Sequence, residues 1–132
     1  MMKLRNSLRA FAAAGLVIGA VAVSAGSASA AAKDGWLTSG ELGLFCESGQ
    51  SSSVFDLYGS DEDFSNDYFK GSLSCAGHTT NDYTESFSNK DSYVWDVYTD
   101  WKRQGSRGYI LVGERDDFNS TYFNRVSSAY PR

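Results

Sequence analysis

Short runs of alternating apolar and polar residues recur from Glu41 onward, and they come in two sets. Leu42, Leu44 and Cys46 share one face of the first run, with Gly43 and Phe45 opposite. Tyr93, Trp95 and Val97 share a face of a later run, and Val94, Asp96 and Tyr98 share its reverse. A period of two belongs to a strand with one side in a core. Gly, Ser, Asp and Asn separate the runs, the one proline is Pro131, and no long segment repeats at 3.6 residues. Strands so closely spaced predict a sandwich or barrel, not a parallel sheet with crossover helices.

The two sets look like copies. Glu41–Phe45 and Ser53–Tyr58 are echoed by Tyr93–Tyr98 and Gly108–Val112, and the copies close on Tyr83–Phe87 and Arg125–Ala129. Repetition over tens of residues in a short chain points to a doubled supersecondary unit. Matching Val54–Tyr58 to Val94–Tyr98 is one register, but it leaves Glu41–Cys46 without a counterpart. Matching Phe45 to Tyr98 pairs both hairpins and both closing serines, Ser86 and Ser128, and is the register preferred. The first copy is then longer, by an insertion within Gly59–Thr80 that carries Cys75. Inside it, Ser60-Asp-Glu-Asp63 before Phe64, Tyr68 and Phe69 reads either as a short helix capped by Ser60 or as a solvated acidic loop.

Residues 1–30 read as a signal peptide. Lys3, Arg5 and Arg9 precede an apolar stretch from Ala10 to Val23, and Ala28-Ser29-Ala30 offers a cleavage site. That leaves residues 31–132 as a single secreted, extracellular domain, with units 41–89 and 92–131. The chain has twelve basic and sixteen acidic residues, and three of the basic ones lie in the leader. The remaining part therefore sets nine against sixteen, a net charge of −7. Such a surface lacks the clustered Lys and Arg that nucleic acids and anionic membranes require. Cys46 and Cys75 are the only cysteines, and in an oxidising compartment they read as one disulfide. A thiolate metal site lacks partners, since His78 is the only histidine.

Three stretches carry a family resemblance: Asn81-Asp-Tyr-Thr-Glu-Ser-Phe-Ser-Asn89, Ser92-Tyr-Val-Trp-Asp-Val-Tyr-Thr-Asp100 and Asn124-Arg-Val-Ser-Ser-Ala-Tyr130. They resemble the secreted actinobacterial peptidase inhibitors of the streptomycete metalloproteinase inhibitor type. The resemblance implies an all-β, βγ-crystallin-like sandwich of two Greek-key units. Crystallin-type keys place a second aromatic five residues after the first and a glycine two further on. Here the series are Phe45, Gln50, Ser52 and Tyr98, Arg103, Gly105, so the corner aromatic is missing from both. Gly105 suits a tightly folded hairpin that needs a positive φ, and Ser52 is expected to use a looser turn.

The function implied is inhibition of a secreted protease, of the metalloprotease class, by a rigid substrate-like loop. Preorganisation would supply the affinity, because a loop already in its bound shape loses little entropy on docking. Leu73-Ser74-Cys75-Ala76-Gly77-His78 is the candidate loop, tethered through Cys75. The bland alternative is that Cys75 only staples the insertion. Trp101, in the second hairpin beside Arg103, is a candidate partner-binding residue.

A reading of a different class is a calcium-binding or structural extracellular module without inhibitory activity. βγ-Crystallin-type domains hold calcium through two acidic or amide residues, two variable positions, a hydroxyl residue and a serine. Asn81-Asp82-Tyr-Thr-Glu85-Ser86 fits except at Glu85, and Phe123-Asn124-Arg-Val-Ser127-Ser128 fits except at Phe123. Oxygen donors of these kinds suit calcium. No other cofactor is implied, and the chain reads as monomeric. An enzyme is not expected. His78 is isolated, Asp116 and Asp117 are strand neighbours pointing to opposite faces, and no phosphate loop or nucleophile elbow appears.

Overall fold

The computed structural model describes residues 32–132, so the leader expected over residues 1–30 lies outside the described residues. Among the described residues the chain forms seven strands: β1 (Leu42–Glu47), β2 (Ser51–Leu57), β3 (Ser86–Asn89), β4 (Trp95–Tyr98), β5 (Arg107–Ile110), β6 (Arg115–Asp117) and β7 (Ser128–Pro131). They make two antiparallel sheets, ordered β2-β1-β3-β6 and β5-β4-β7. The inner faces meet over Leu42, Leu44, Phe55, Leu57, Phe87, Trp95, Val97 and Ile110, all buried. This is the expected sandwich of two Greek keys.

The register preferred from sequence is the one that forms. Phe45 faces Val54 on one side and Ser86 on the other, and Tyr98 faces Arg107 and Ser128. Leu42 and Leu44 therefore correspond to Trp95 and Val97, and Phe55 corresponds to Gly108. Each half also lends a segment to the other's sheet. β6, from the second half, pairs with β3, and Asp61, from the first, bridges to Ala129 of β7. β6 is three exposed polar residues, Arg-Asp-Asp, so no apolar alternation marks it in the sequence.

The hairpin turns corresponding to one another have the same backbone. Gly49, Gln50 and Ser52 have φ of 75°, 54° and 67°, and Lys102, Arg103 and Gly105 have 52°, 63° and 78°. Ser52 thus does not escape into a looser turn. It adopts the left-handed conformation that costs an L-residue roughly 1–2 kcal/mol, and its hydroxyl contacts that of Ser74 at 2.5 Å. The insertion contains a 3-10 turn at Phe64–Asn66, capped by Asp63, whose Oδ1 accepts the Ser65 N–H at 2.9 Å. The cap is Asp63 and not Ser60, and the helix is a single turn that serves to bury Phe64 edge-on against Phe55, 5.0 Å between centroids. The Cys46–Cys75 disulfide ties the insertion to β1 across 29 residues. Closing a loop of that length is worth about 3–4 kcal/mol in the chain-entropy picture.

Residues 33–41 form a strap over the outer face of β1 and β2. Leu37 lies against Gly43, where a Cβ would come within 2.7 Å of Leu37 Cδ2. The Asp56 carboxylate accepts the N–H groups of Asp34 and Gly35 at 3.1 and 2.8 Å. Lys33 Nζ pairs with Asp61 and Asp67 at 3.0 and 3.1 Å. Glu41 is fully buried. Its Oε1 accepts the N–H and hydroxyl of Thr38, and its Oε2 has no hydrogen-bond partner. Burial, with the negative Asp56 and Asp34 nearby, pushes the Glu41 carboxyl up to about 7. Burial and the neighbouring Asp61 likewise push Asp67 up to about 6, against the opposing pull of Lys33.

These shifts give stability a definite slope with pH. The folded chain holds the two protons more tightly than the unfolded chain, so their contribution is complete below the ordinary carboxyl range and is lost as pH rises through about 6 and 7. Urea denaturation should give a higher midpoint at pH 5 than at pH 8, and Glu41→Gln should flatten that difference. A midpoint that rises between pH 5 and pH 8 in the parent would contradict the assignment.

Candidate functional site

The two motif-bearing loops, 81–86 and 123–128, meet across the junction of the halves. Asp82 and Asn124 occupy corresponding places and both have a positive φ, 55° and 56°. Asp and Asn tolerate this region better than most residues. The turn aims each backbone N–H at the other loop: Asp82 donates to the Val126 carbonyl at 3.1 Å, and Asn124 to that of Thr84 at 2.9 Å. The side chains cross in the same sense. Ser127 Oγ donates to Asp82 Oδ1 at 3.0 Å, and Asn124 Nδ2 donates to Glu85 Oε2 at 3.3 Å. Each motif thus supplies its second position to the fifth position of the other.

Ser48 completes the second cluster. Its N–H and hydroxyl donate to Glu85 Oε1 at 3.1 and 3.2 Å. Nothing in the local sequence of Ser48 marks it, because its partner lies 37 residues on and is brought close only by the pairing of β1 with β3. The clusters are therefore Asp82 with Ser127, and Glu85 with Asn124 and Ser48. Each has one carboxylate that accepts from neutral hydroxyl, amide or backbone N–H groups. Asn81 stands apart from both pairs, with its backbone N–H held by Thr79 Oγ1 at 3.3 Å.

Ser86 and Ser128 belong to the fold instead. Ser86 Oγ donates to the Glu47 carbonyl at 2.6 Å and accepts the Gln50 N–H at 2.9 Å. Ser128 Oγ donates to the Asp100 carbonyl at 2.7 Å. Both are buried, and each ties its closing strand to the hairpin of its own half. These bonds engage both hydroxyls with the backbone.

The loop Leu73–His78 is exposed and braced. The disulfide holds Cys75, and Phe69 anchors the base, its N–H donating to the His78 carbonyl and its own carbonyl accepting the Gly77 N–H. The chain between is curled, not extended: Ala76 donates to the Leu73 carbonyl and His78 to that of Cys75, each at 3.0 Å. Leu73 projects with 60% of its surface exposed. Ser74 bonds Glu47 Oε2 at 2.9 Å, and the His78 ring stacks on Tyr83 of the paired loops at 3.6 Å. Cys46, Glu47 and Cys75 lie together, but their sulfurs are bonded to each other and are not free ligands.

Trp101 and Arg103 lie against different rings. Trp101 is half exposed, with Lys102 Nζ 4.5 Å from the ring centre. Arg103 is exposed, with its guanidinium carbon 3.8 Å from the centre of the Tyr130 ring, at the position where a crystallin-type key carries its corner aromatic. Gln50, its counterpart, receives Arg115 instead.

Three solved structures share this architecture. One comes from work on the evolution of the eye-lens βγ-crystallin domain fold, with TM-score 0.57 and 16% identity over 71% of this chain and 86% of that one. A βγ-crystallin from Ciona intestinalis aligns with TM-score 0.55 and 19% identity, over 70% of this chain and all of its own. The N-terminal domain of Protein S aligns with TM-score 0.53 and 13% identity, over 70% and 94%. The chain has the βγ-crystallin fold. No protein-family model matches the sequence, and no curated protein matches it. Identities this low carry the fold and say nothing of ligand or activity.

Ser86→Ala should cost about 1–3 kcal/mol in denaturant unfolding, since it strips a buried carbonyl and an N–H of their partner. Trp101→Ala should stay within about 0.5 kcal/mol of the parent, as expected of a surface side chain. A loss at Trp101 as large as that at Ser86 would make the indole part of the core.

Proposed function

We propose that this chain is an extracellular βγ-crystallin-type module whose paired loops hold calcium weakly and lock its two halves together. The observation that carries the reading is the crossed arrangement itself, Asp82 with Ser127 and Glu85 with Asn124, over a reciprocal pair of backbone bonds. Two carboxylates, an amide and a hydroxyl converge there in pairs 39 and 45 residues apart in sequence, so an ion bound between the loops, with the Asn124 amide turned to present its oxygen, would cross-link the halves. Asp82, Ser127, Glu85, Asn124 and Ser48 are the residues that would hold it, with remaining positions left to backbone carbonyls and water. The disulfide is of the kind that persists outside the cytosol, and among the described residues no helix is long and apolar enough to cross a membrane. Both features agree with the secreted state expected of the leader.

Titration calorimetry on calcium-free protein should give heat with a dissociation constant of about 10⁻⁴–10⁻³ M, the range of extracellular modules. Asp82→Asn with Glu85→Gln should abolish it, whereas Ser86→Ala should not. Absence of heat at millimolar calcium would overturn the reading and leave a structural module.

A second reading, protease inhibition, is favoured by Leu73, a bulky apolar side chain held out on a loop that the disulfide braces. Its partner would be a secreted metalloprotease of the thermolysin type, whose apolar pocket would take the leucine. Incubation with such an enzyme should lower its rate on a small substrate, and Leu73→Asp should abolish the effect. Undiminished protease activity at micromolar concentrations of this protein would dispose of it.

A further inference from the structure

The pseudo-twofold repeat is broken at one place in a way that assigns a ligand chemistry. In the first half, the gap between the edge of β2 and the segment at Asp61 is filled by the protein itself. Phe55 points inward from β2, opposite the buried Leu44, and packs on Phe64. Asp61, opposite Ala129, carries its carboxylate into the same gap. Lys33, reaching in from the strap, sets its ammonium 3.0 Å from Asp61 Oδ2 and 5.9 Å from the centre of the Phe55 ring.

The corresponding gap in the second half lies between β5 and β6. There Gly108 stands where Phe55 stands, opposite Val97 on the inner face. Asp116 stands where Asp61 stands. It faces Phe87 across the β3–β6 ladder and so shares the inward side with that buried ring. Among the described residues no strap runs along β5 and no ion pair involves Asp116, whose Oδ1 accepts the Asp117 N–H at 2.8 Å and leaves Oδ2 for a ligand. The result is a cleft of about 370 Å³ floored by Phe87, Ile110 and Phe118, with Tyr122 as one wall. The one basic residue along it, Arg107, faces Tyr98 in the ladder and so belongs to the opposite, outer side of the sheet.

We infer that this cleft is a binding site for a small organic cation, a primary ammonium on an apolar ring-bearing stem. The first half supplies the template. An ammonium there is held by two carboxylates, Asp61 and the insertion's Asp67, beside an aromatic face; the second half keeps one inward carboxylate and the aromatic floor, omits the lysine, and in place of a ring at position 108 lays the tip of Tyr122 against Gly108. The cleft is of a size that small-molecule sites occupy, apolar below and charged at the lip. An arylalkylamine satisfies both parts, with its ring on Phe87 and Phe118 and its ammonium on Asp116. A lysine side chain would satisfy only the carboxylate, because its thin stem leaves the floor uncovered. The site is separate from the paired loops and does not depend on the calcium reading.

The test is a titration of the isotopically labelled protein with tryptamine, followed by amide shifts. Shifts should concentrate at Gly108, Ile110, Phe118 and Tyr122. Indole-3-acetate, with the charge reversed, and Nα-acetyl-lysine amide, without the ring, should each bind at least about tenfold more weakly. Asp116→Asn, an exposed edge position that the fold tolerates, should weaken tryptamine by about 10–100-fold, the worth of a charge-assisted bond. Gly108→Phe should abolish binding by filling the cleft as Phe55 does. Because its Cβ would meet Tyr122 at 2.7 Å, that variant counts only if its amide spectrum stays dispersed, and Asp116→Asn decides alone if it does not. Equal binding of the anion, equal binding of the lysine amide, shifts elsewhere, or indifference to Asp116→Asn would each overturn the assignment.

Discussion

Each sheet of this sandwich is extended by a segment from the other half, one by the strand β6 and the other by a single bridge at Asp61, and the remaining features follow from that exchange. A three-stranded sheet leaves an edge of unpaired N–H and C=O groups, which is both costly and a hazard for association. β6 closes the edge of β3 with residues of the second half, and Asp61 begins to close that of β7 with residues of the first. The exchange forces loops 81–86 and 123–128 into contact, which is why Asp82 and Asn124 can bond across to Val126 and Thr84. The crossed pairs Asp82–Ser127 and Glu85–Asn124 cannot exist in either half alone.

Against that symmetry, the departures are concentrated on the first half. It carries the insertion, the disulfide, the 3-10 turn and the strap, and each of these covers something. The disulfide lobe covers the β2 side and lays His78 on Tyr83, and the strap puts Leu37 over Gly43 and Lys33 between Asp61 and Asp67. The second half has none of these covers, so the corresponding gap between β5 and β6 stays open. A doubled unit that elaborates one copy gains a brace there and leaves a cleft in the other.

The electrostatics of the strap show how an acidic chain tolerates such packing. Glu41 and Asp56 are buried with N–H groups of the strap aimed at them, and the Lys33 ammonium is shared by Asp61 and Asp67. Hydrogen bonds from backbone N–H groups offset part of the desolvation penalty but not all of it, and the carboxyl of Glu41 holds its proton well above the ordinary range.

Much of the fold was legible in the residues. Alternation at Leu42, Leu44, Trp95 and Val97 located the core strands, and the spacing from Phe45 to Ser86 and from Tyr98 to Ser128 gave the register, because side-chain period and loop length are local properties of the chain. The positive φ at Gly105 was legible too, since glycine advertises it. Ser52 hid the same conformation because a serine gives no such signal, and β6 was hidden because an edge strand of Arg-Asp-Asp buries nothing that alternation could reveal. Only the tertiary structure separated Ser86 and Ser128, whose hydroxyls hold backbone, from Ser127, whose hydroxyl reaches Asp82, for the three are alike until distant chain is brought beside them. It alone recruited Ser48, laid Arg103 on Tyr130, and set Gly108 opposite the role of Phe55. Local sequence determines which way a residue faces, while what it meets there depends on contacts between segments that no local pattern encodes.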